Sequence, residues 1–333
     1  MVIKKVIVFF LFIILVSLNV LNAVDNNFYK KPVYFRNYNI GEGLISNTVK
    51  CITEDEYGYV WLGTDKGLSR FDGYEFVNYK PAADEPHSLH ASFIRSLLVD
   101  SKGRMWVGTE GSLERFYRKE ERFELKFPLS QSNSLYIDDL LEDSRGNIWA
   151  ASDPYGLLKY DAQKDSFVVS EINDYLSVSI RGITTLMEDS RGYLWIGTHD
   201  LGAFRIDLEN KKSIRFQHEA NNKNSIPFNN VTAFQEDSAG NIWIATHGGG
   251  ISKYNPKNKK FKLYQADHGK GLSSNLVFSF IIDKNQKFWI VSESGLDYFS
   301  PQTGDFRNYS QPFIQCSQVY TRGRAHKHIY TKD

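Results

Sequence analysis

Seven side chains, Lys50, Asp65, Arg95, Arg181, His199, Asp200 and His247, carry the types and places that could do chemistry, and Asp138 belongs with them. Lys50, Arg95 and Asp138 hold one register at the start of equivalent segments, and Arg181 falls just before that register in its own segment. His199 and His247 hold equivalent turn positions on copies next but one to each other, with Asp200 beside the first. The chemistry such groups offer is reversible recognition, by charge and hydrogen bonds presented on loops. Catalysis finds little footing. Two imidazoles on separate segments make no metal site without a third ligand at fixed spacing. Asp and Glu recur in every turn, so no carboxylate pair for glycosidic cleavage stands out. There is no Gly-rich phosphate loop, nucleophile elbow or Cys/His pair. Cys51 and Cys316 sit at unrelated positions and give neither a disulfide framework nor ligand spacing. No cofactor and no metal is expected.

The elements that must position these residues are repeats. Glu142-Asp143-Ser144-Arg145-Gly146-Asn147-Ile148-Trp149 returns at Glu188–Trp195 and Glu236–Trp243, with earlier copies at Glu54–Trp61 and Val99–Trp106. A worn copy, Ile282–Trp289, has Gln286 where Gly is expected. Every Trp of the chain (Trp61, Trp106, Trp149, Trp195, Trp243 and Trp289) lies in a copy, at spacings of 45, 43, 46, 48 and 46 residues. A period in that range signals repeated supersecondary units. Each unit reads as four short strands with Gly/Asp punctuation; in the first these are Val49–Thr53, Tyr59–Gly63, Leu68–Phe71 and Tyr74–Tyr79. Third strands return at Leu113, Leu157, Ala203, Ile251 and Leu296, and fourth strands near Phe123, Phe167, Ile214, Phe261 and Phe306. Helical periodicity is absent. The pattern predicts an all-β fold, a β-propeller of four-stranded antiparallel blades. Six blades are recognisable, and an N-terminal strand of an incomplete seventh precedes them. Gly58, Gly103, Gly146, Gly192 and Gly240 are expected to take positive φ in tight hairpins. The Asp before each is expected to bond its own turn, and each Trp to fill the space between blades while its indole N–H seeks an acceptor.

In a four-stranded meander, the second-to-third turns share a face with the connections between blades. One set holds Asp65-Lys66, Glu110, Asp153-Pro154-Tyr155, His199-Asp200, His247 and Glu293. The other holds 87–92, 130–136, 175–181, 218–230 and 267–274. These segments vary while the framework repeats, so binding residues are expected on this face. Polar groups interleaved with aromatics suit a sugar, whose hydroxyls need hydrogen bonds and whose C–H faces stack on rings.

The chain has 333 residues and a net charge of +1, which gives no electrostatic reason to expect nucleic acid as partner. Lys4 and Lys5 precede an apolar run over 6–16, and Leu21-Asn22-Ala23 offers a small residue for cleavage. Residues 1–23 read as a secretory signal peptide. The propeller is assigned to 24–310. Residues 311–333 match no repeat and read as a truncated or frame-shifted tail.

Trp61-Leu62-Gly63-Thr64-Asp65-Lys66-Gly67-Leu68-Ser69-Arg70-Phe71-Asp72 resembles the two-component regulator propeller repeat, an Asp-x-x-Gly hairpin followed by Trp-apolar-Gly-Thr and Gly-Leu. Trp195-Ile196-Gly197-Thr198 and Trp243-Ile244-Ala245-Thr246 are similar to it too, and six copies cover residues 46 to about 310. The resemblance implies the periplasmic sensor region of a Bacteroidetes hybrid two-component system, with an oligosaccharide as ligand and a possible homodimer. In that family a membrane helix and a histidine kinase follow the propellers. Here neither follows, so the chain is expected to be a fragment, exported and attached to the membrane only through parts beyond its end. Phe35-Arg36-Asn37-Tyr38 matches Phe306-Arg307-Asn308-Tyr309, which is the ground for reading Val33–Tyr38 as the last strand of the seventh blade. Two other functions compete with the sensor: a polysaccharide lyase or glycosidase, and a propeller that only docks protein partners.

Overall fold

The structure, a computed structural model, describes residues 36, 38–127, 135–176, 178, 180–267, 271–309 and the backbone of 320–321. The signal-peptide reading lies outside the described residues, as does most of the strand expected over Val33–Tyr38, of which Arg36 and Tyr38 are described and belong to no strand. The chain divides into two compact units, Met1–Tyr38 and Asn39–Asp333. In the first, the Arg36 guanidinium lies 4.8 Å from the centre of the Tyr38 ring.

The second unit is a ring of six four-stranded antiparallel blades, a six-bladed β-propeller. The inner strands are Val49–Glu54, Ile94–Val99, Tyr136–Glu142, Ile183–Glu188, Val231–Glu236 and Val277–Ile282. In each blade the strands pair in sequence order. Only two short 3-10 turns, Ile40–Glu42 and Glu171–Tyr175, interrupt the β structure among the described residues. No helix among them is long and apolar enough to cross a membrane.

The repeated octapeptide builds the first hairpin of each blade. Asp55, Asp100, Asp143, Asp189 and Asp237 each accept two backbone N–H groups of their own turn through Oδ1. The glycines at 58, 103, 146, 192 and 240 take φ of 71–82°, where a side chain would be strained. The indole acceptor is the same aspartate: Nε1 of Trp61, Trp106, Trp149, Trp195 and Trp243 donates to its Oδ2 at 2.6–3.0 Å. One carboxylate therefore satisfies both the turn and the buried Trp. The rings pack on the following blade, Trp61 on Phe116, Trp106 on Tyr160 and Phe167, Trp195 on Phe234 and Tyr254, and Trp243 on Phe288 and Phe299. Trp289 is half-buried and stacks on Tyr309 of its own blade.

The first residue of the octapeptide links blades. Glu142 accepts the N–H and hydroxyl of Ser101 in the blade before, Glu188 those of Ser144, and Glu236 those of Ser190. The worn copy has Ile282 at that place. There Gln286, in the left-handed region at φ 58°, reaches back instead, and its Oε1 accepts the Ser238 N–H at 2.9 Å. The exception to the glycine pattern is thus a substitute link.

Residues Tyr320–Thr321, inside the segment that matches no repeat, form a two-residue strand parallel to the inner strand of the first blade. The same pair approaches the inner strand of the sixth.

Candidate functional site

Each inner strand begins with a β-bulge. Pairing with the second strand steps from Val49 to Cys51, Ile94 to Ser96, Ile137 to Asp139, Ile183 to Thr185, Val231 to Ala233 and Val277 to Ser279. The residue that the ladder skips is Lys50, Arg95, Asp138, Thr184, Thr232 or Phe278. A bulge leaves its extra residue out of the ladder and re-aims it. Six such residues therefore ring the channel mouth, on the face carrying the second-to-third turns and the blade connections.

Blades one to three hold the charged part of the ring. Arg95 Nε donates to Asp138 Oδ1 at 2.6 Å, and its Nη1 pairs with Glu110. Its guanidinium lies 5.2 Å from the Tyr136 ring centre and 5.7 Å from that of Phe93. Lys50 Nζ lies 5.3 Å from the same Phe93 ring. All of these groups are half-buried. Burial pushes the Asp138 carboxyl up, against the pull of Arg95, and Asp153 and Glu110 add to the rise. Burial likewise lowers the Lys50 ammonium, opposed by Asp65. Asp65 is fixed by Ser46, whose Oγ donates to Oδ1 at 2.5 Å.

Blades four to six differ. Thr184 donates to the Val231 carbonyl and Thr232 to that of Val277, at 2.9 Å in the second case, so both hydroxyls are spent tying neighbouring inner strands together. Phe278 lies 5.7 Å from the His247 ring. Phe228, 45% exposed, packs on Gly248 in the same turn. The mouth is therefore two-sided, ionic and hydrogen-bonding on one arc, aromatic on the other.

Of the sequence-selected residues, Lys50, Asp65 and Arg95 come together with Asp138 and Glu110. His199 and Asp200 are exposed on the turn of the fourth blade, and Arg181 is exposed on the connection before it. Among the described residues none of these three joins the ion pairs around Arg95. The turns of His199 and His247 belong to the fourth and fifth blades, which are adjacent, not next but one, because each octapeptide copy is one blade. Sequence reasoning missed Phe93, Thr184, Thr232 and Phe278. The signal was present in part: in four of the six inner strands the buried set changes phase after the bulge, as in Ile183, Thr185 and Leu186.

Four segments, 43–66, 88–111, 177–200 and 225–248, match the family model for the two component regulator propeller. Each runs from a blade connection, through the bulged inner strand, to the second turn. These four segments are two-component regulator propeller repeats. The third and sixth blades are built alike but fall outside the match; there Ala151-Ser152 and Val291-Ser292 replace the Gly-Thr of the repeat. Among solved structures the propeller is similar to the extracellular domain described for a hybrid two component system of B. thetaiotaomicron. That match has TM-score 0.71 and 22% identity, over 84% of this chain and 37% of that one. It is similar too to virginiamycin B lyase from Staphylococcus aureus, with TM-score 0.62 and 12% identity over 83% and 89% of the two chains. A third likeness is to PorZ of Porphyromonas gingivalis, a surface component of the type-IX secretion system, with TM-score 0.56 and 17% identity over 74% and 38%. At these identities the likenesses establish the propeller fold. The chain spans little more than a third of the B. thetaiotaomicron domain's length. No curated protein sequence matches the chain.

Proposed function

We propose that this propeller is the ligand-receiving part of an extracytoplasmic sensor in a hybrid two-component system, and that it binds an oligosaccharide at the channel mouth. The propeller repeats support the sensor role. The observation that carries the ligand is the two-sided mouth: Arg95, Asp138, Glu110 and Lys50 stand on the arc of blades one to three, and Phe278, Phe228 and His247 on that of blades four to six. Sugars need this combination, since hydroxyls pair with fixed donors and acceptors while ring C–H faces cover aromatic surface. The bulges hold the polar groups on strands instead of loose loops, which lowers the ordering cost of binding. In this role the chain reports occupancy and performs no catalytic step, and it works in the periplasm.

Titration calorimetry of the purified chain against a panel of defined oligosaccharides tests the assignment. At least one glycan is expected to bind, and Arg95→Ala to weaken it by roughly tenfold or more, because Asp138 and Glu110 lose their partner and the ligand a donor. Absence of binding across neutral, cationic and anionic glycans, or binding indifferent to both Arg95→Ala and Phe278→Ala, would remove it.

A further inference from the structure

The charge balance of the mouth selects among glycans. The first residue of each second-to-third turn is Asp65, Glu110, Asp153, His199, His247 or Glu293. Each turn is folded over the start of its own inner strand. The backbone N–H of Asp65, Glu110, His199, His247 and Glu293 donates to the carbonyl just before that strand, at 3.3, 3.0, 2.9, 2.9 and 3.0 Å. Asp153 pairs with Tyr136 to the same effect. These six therefore form an outer tier directly above the six bulged residues.

The outer tier holds four carboxylates and two imidazoles. The inner tier holds Lys50, Arg95 and Asp138, with two threonines and a phenylalanine. Arg95 is shared between Asp138 and Glu110, and Lys50 lies within electrostatic reach of Asp65 and Glu110. Among the described residues no cation pairs with Asp153 or Glu293, and Asp153 is half-buried. With Lys66, Asp200 and Arg181 of the same face counted, six carboxylates stand against four cations, so the mouth keeps an excess of negative charge, beside exposed aromatic surface at Phe228. A mouth with a net excess of one sign attracts ligands of the other.

We infer, building on the oligosaccharide assignment above, that the mouth takes a glycan bearing free amino groups, an oligomer of unacetylated hexosamine, and turns away uronate- and sulfate-bearing chains. The ammonium groups of such a glycan pair with Asp153 and Glu293 while its C–H faces lie on Phe228 and Phe278. An anionic chain meets those carboxylates without a partner, and like-charge contact in a partly desolvated site is costly.

Three oligomers of equal length test this by calorimetry on the full chain: glucosamine, N-acetylglucosamine and galacturonate. The glucosamine oligomer is expected to bind about tenfold tighter than the N-acetyl oligomer at low salt, the gap narrowing as salt is raised. The galacturonate oligomer is expected to bind weakest. In the double variant Asp153→Asn/Glu293→Gln the ratio of glucosamine-oligomer to N-acetyl-oligomer affinity should collapse toward one. Equal or tighter binding of galacturonate, or an amine preference unchanged in the double variant, overturns the charge selection and leaves the sensor assignment standing. No binding of any of the three, with a neutral glycan from the wider panel bound at the mouth, also overturns it. Failure of every glycan removes both.

Discussion

At the scale of single residues, the aspartate of the repeat does more than close a turn. Asp237 is the instance with a resolved titration. Burial works to raise its carboxyl, but hydrogen bonds from Trp243, Asn241 and Lys253 outweigh burial and hold it below the usual carboxylate range. A carboxyl depressed in the folded state stabilises the fold above its unfolded value, and that contribution is lost as pH falls through the folded value. Asp237→Asn is therefore expected to cost about 1–3 kcal/mol at neutral pH, since one oxygen cannot accept both the turn amides and the indole. The variant should also lose less stability than the parent on acidification below pH ~4, as urea unfolding at a series of pH values would read. Parallel pH curves for the two chains would contradict this. Gln286 gives a second residue-scale case. Replacing it by Ala removes the bond to Ser238 and keeps the left-handed backbone; replacing it by Gly removes the bond and relieves the backbone. Gln286→Gly is expected to be more stable than Gln286→Ala by about 1 kcal/mol. The Asp, Gly and Trp roles were readable in the sequence because each is a local need recurring at fixed offsets. That the indole's partner is the turn aspartate was not, since the two lie six positions apart along the hairpin and only the strand pairing returns one to the other.

At the scale of elements, third strands hold the connections that lead into the mouth. Ser69 Oγ accepts the Ile45 N–H at 3.2 Å, Asp297 accepts the N–H and hydroxyl of Ser273, and Glu114, fully buried, accepts the His90 N–H at 3.2 Å and faces its ring at 3.1 Å. The residues so fixed precede the bulges at Lys50, Phe278 and Arg95. The Glu114 hydrogen bond raises the His90 imidazole above its ordinary value, against partial burial. The stabilisation from a raised imidazole is complete below the unfolded value and is lost as pH rises through the folded one. NMR titration of His90 should therefore show protonation persisting to higher pH than in an unfolded peptide, and Glu114→Gln should return it toward the ordinary midpoint. A midpoint unmoved by Glu114→Gln would show that the pair does not form. The blades, their strand order and the face holding the variable turns were legible, since alternation and Gly/Asp punctuation are local. The gathering of Lys50, Arg95 and Asp138 was legible as a shared register. The aromatic arc was not: Phe278 reads as one more apolar strand residue until the bulge takes it out of the ladder.

At the scale of the whole molecule, one seam of the ring differs from the rest. In the Trp-apolar-Gly-Thr stretch, a Cβ on Gly63 would fall 2.7 Å from Ile94 of the next blade, on Gly108 2.5 Å from Ile137, and on Gly197 2.8 Å from Val231. A Cβ there would first meet the inner strand of its own blade, at Cys51, Ser96 and Thr185 in turn, so each glycine is pressed from its own blade and from the next. Ala151 and Ala245, fully buried, hold the place in the third and fifth blades. In the sixth the place is held by Val291, half-buried, and the inner strand that follows is met through the short strand Tyr320–Thr321. The seam between the sixth and first blades is thus the roomier one. Gly197→Ala is expected to destabilise by about 1–3 kcal/mol, because the packed side chains of Thr185, Val231 and Phe234 must all give way. Val291→Ala should cost about 1 kcal/mol or less, because its side chain is only half-buried. In a closed ring each blade is held by its two neighbours, and local opening starts where one neighbour is poorly packed. Amides of Val277–Ile282 and Val49–Glu54 should therefore exchange with solvent faster than those of Ile183–Glu188, which is clamped on both sides. Hydrogen exchange read by mass spectrometry decides it: uniform protection around the ring would mean that this seam is as tight as the others, and that Val291 is there for a reason other than room.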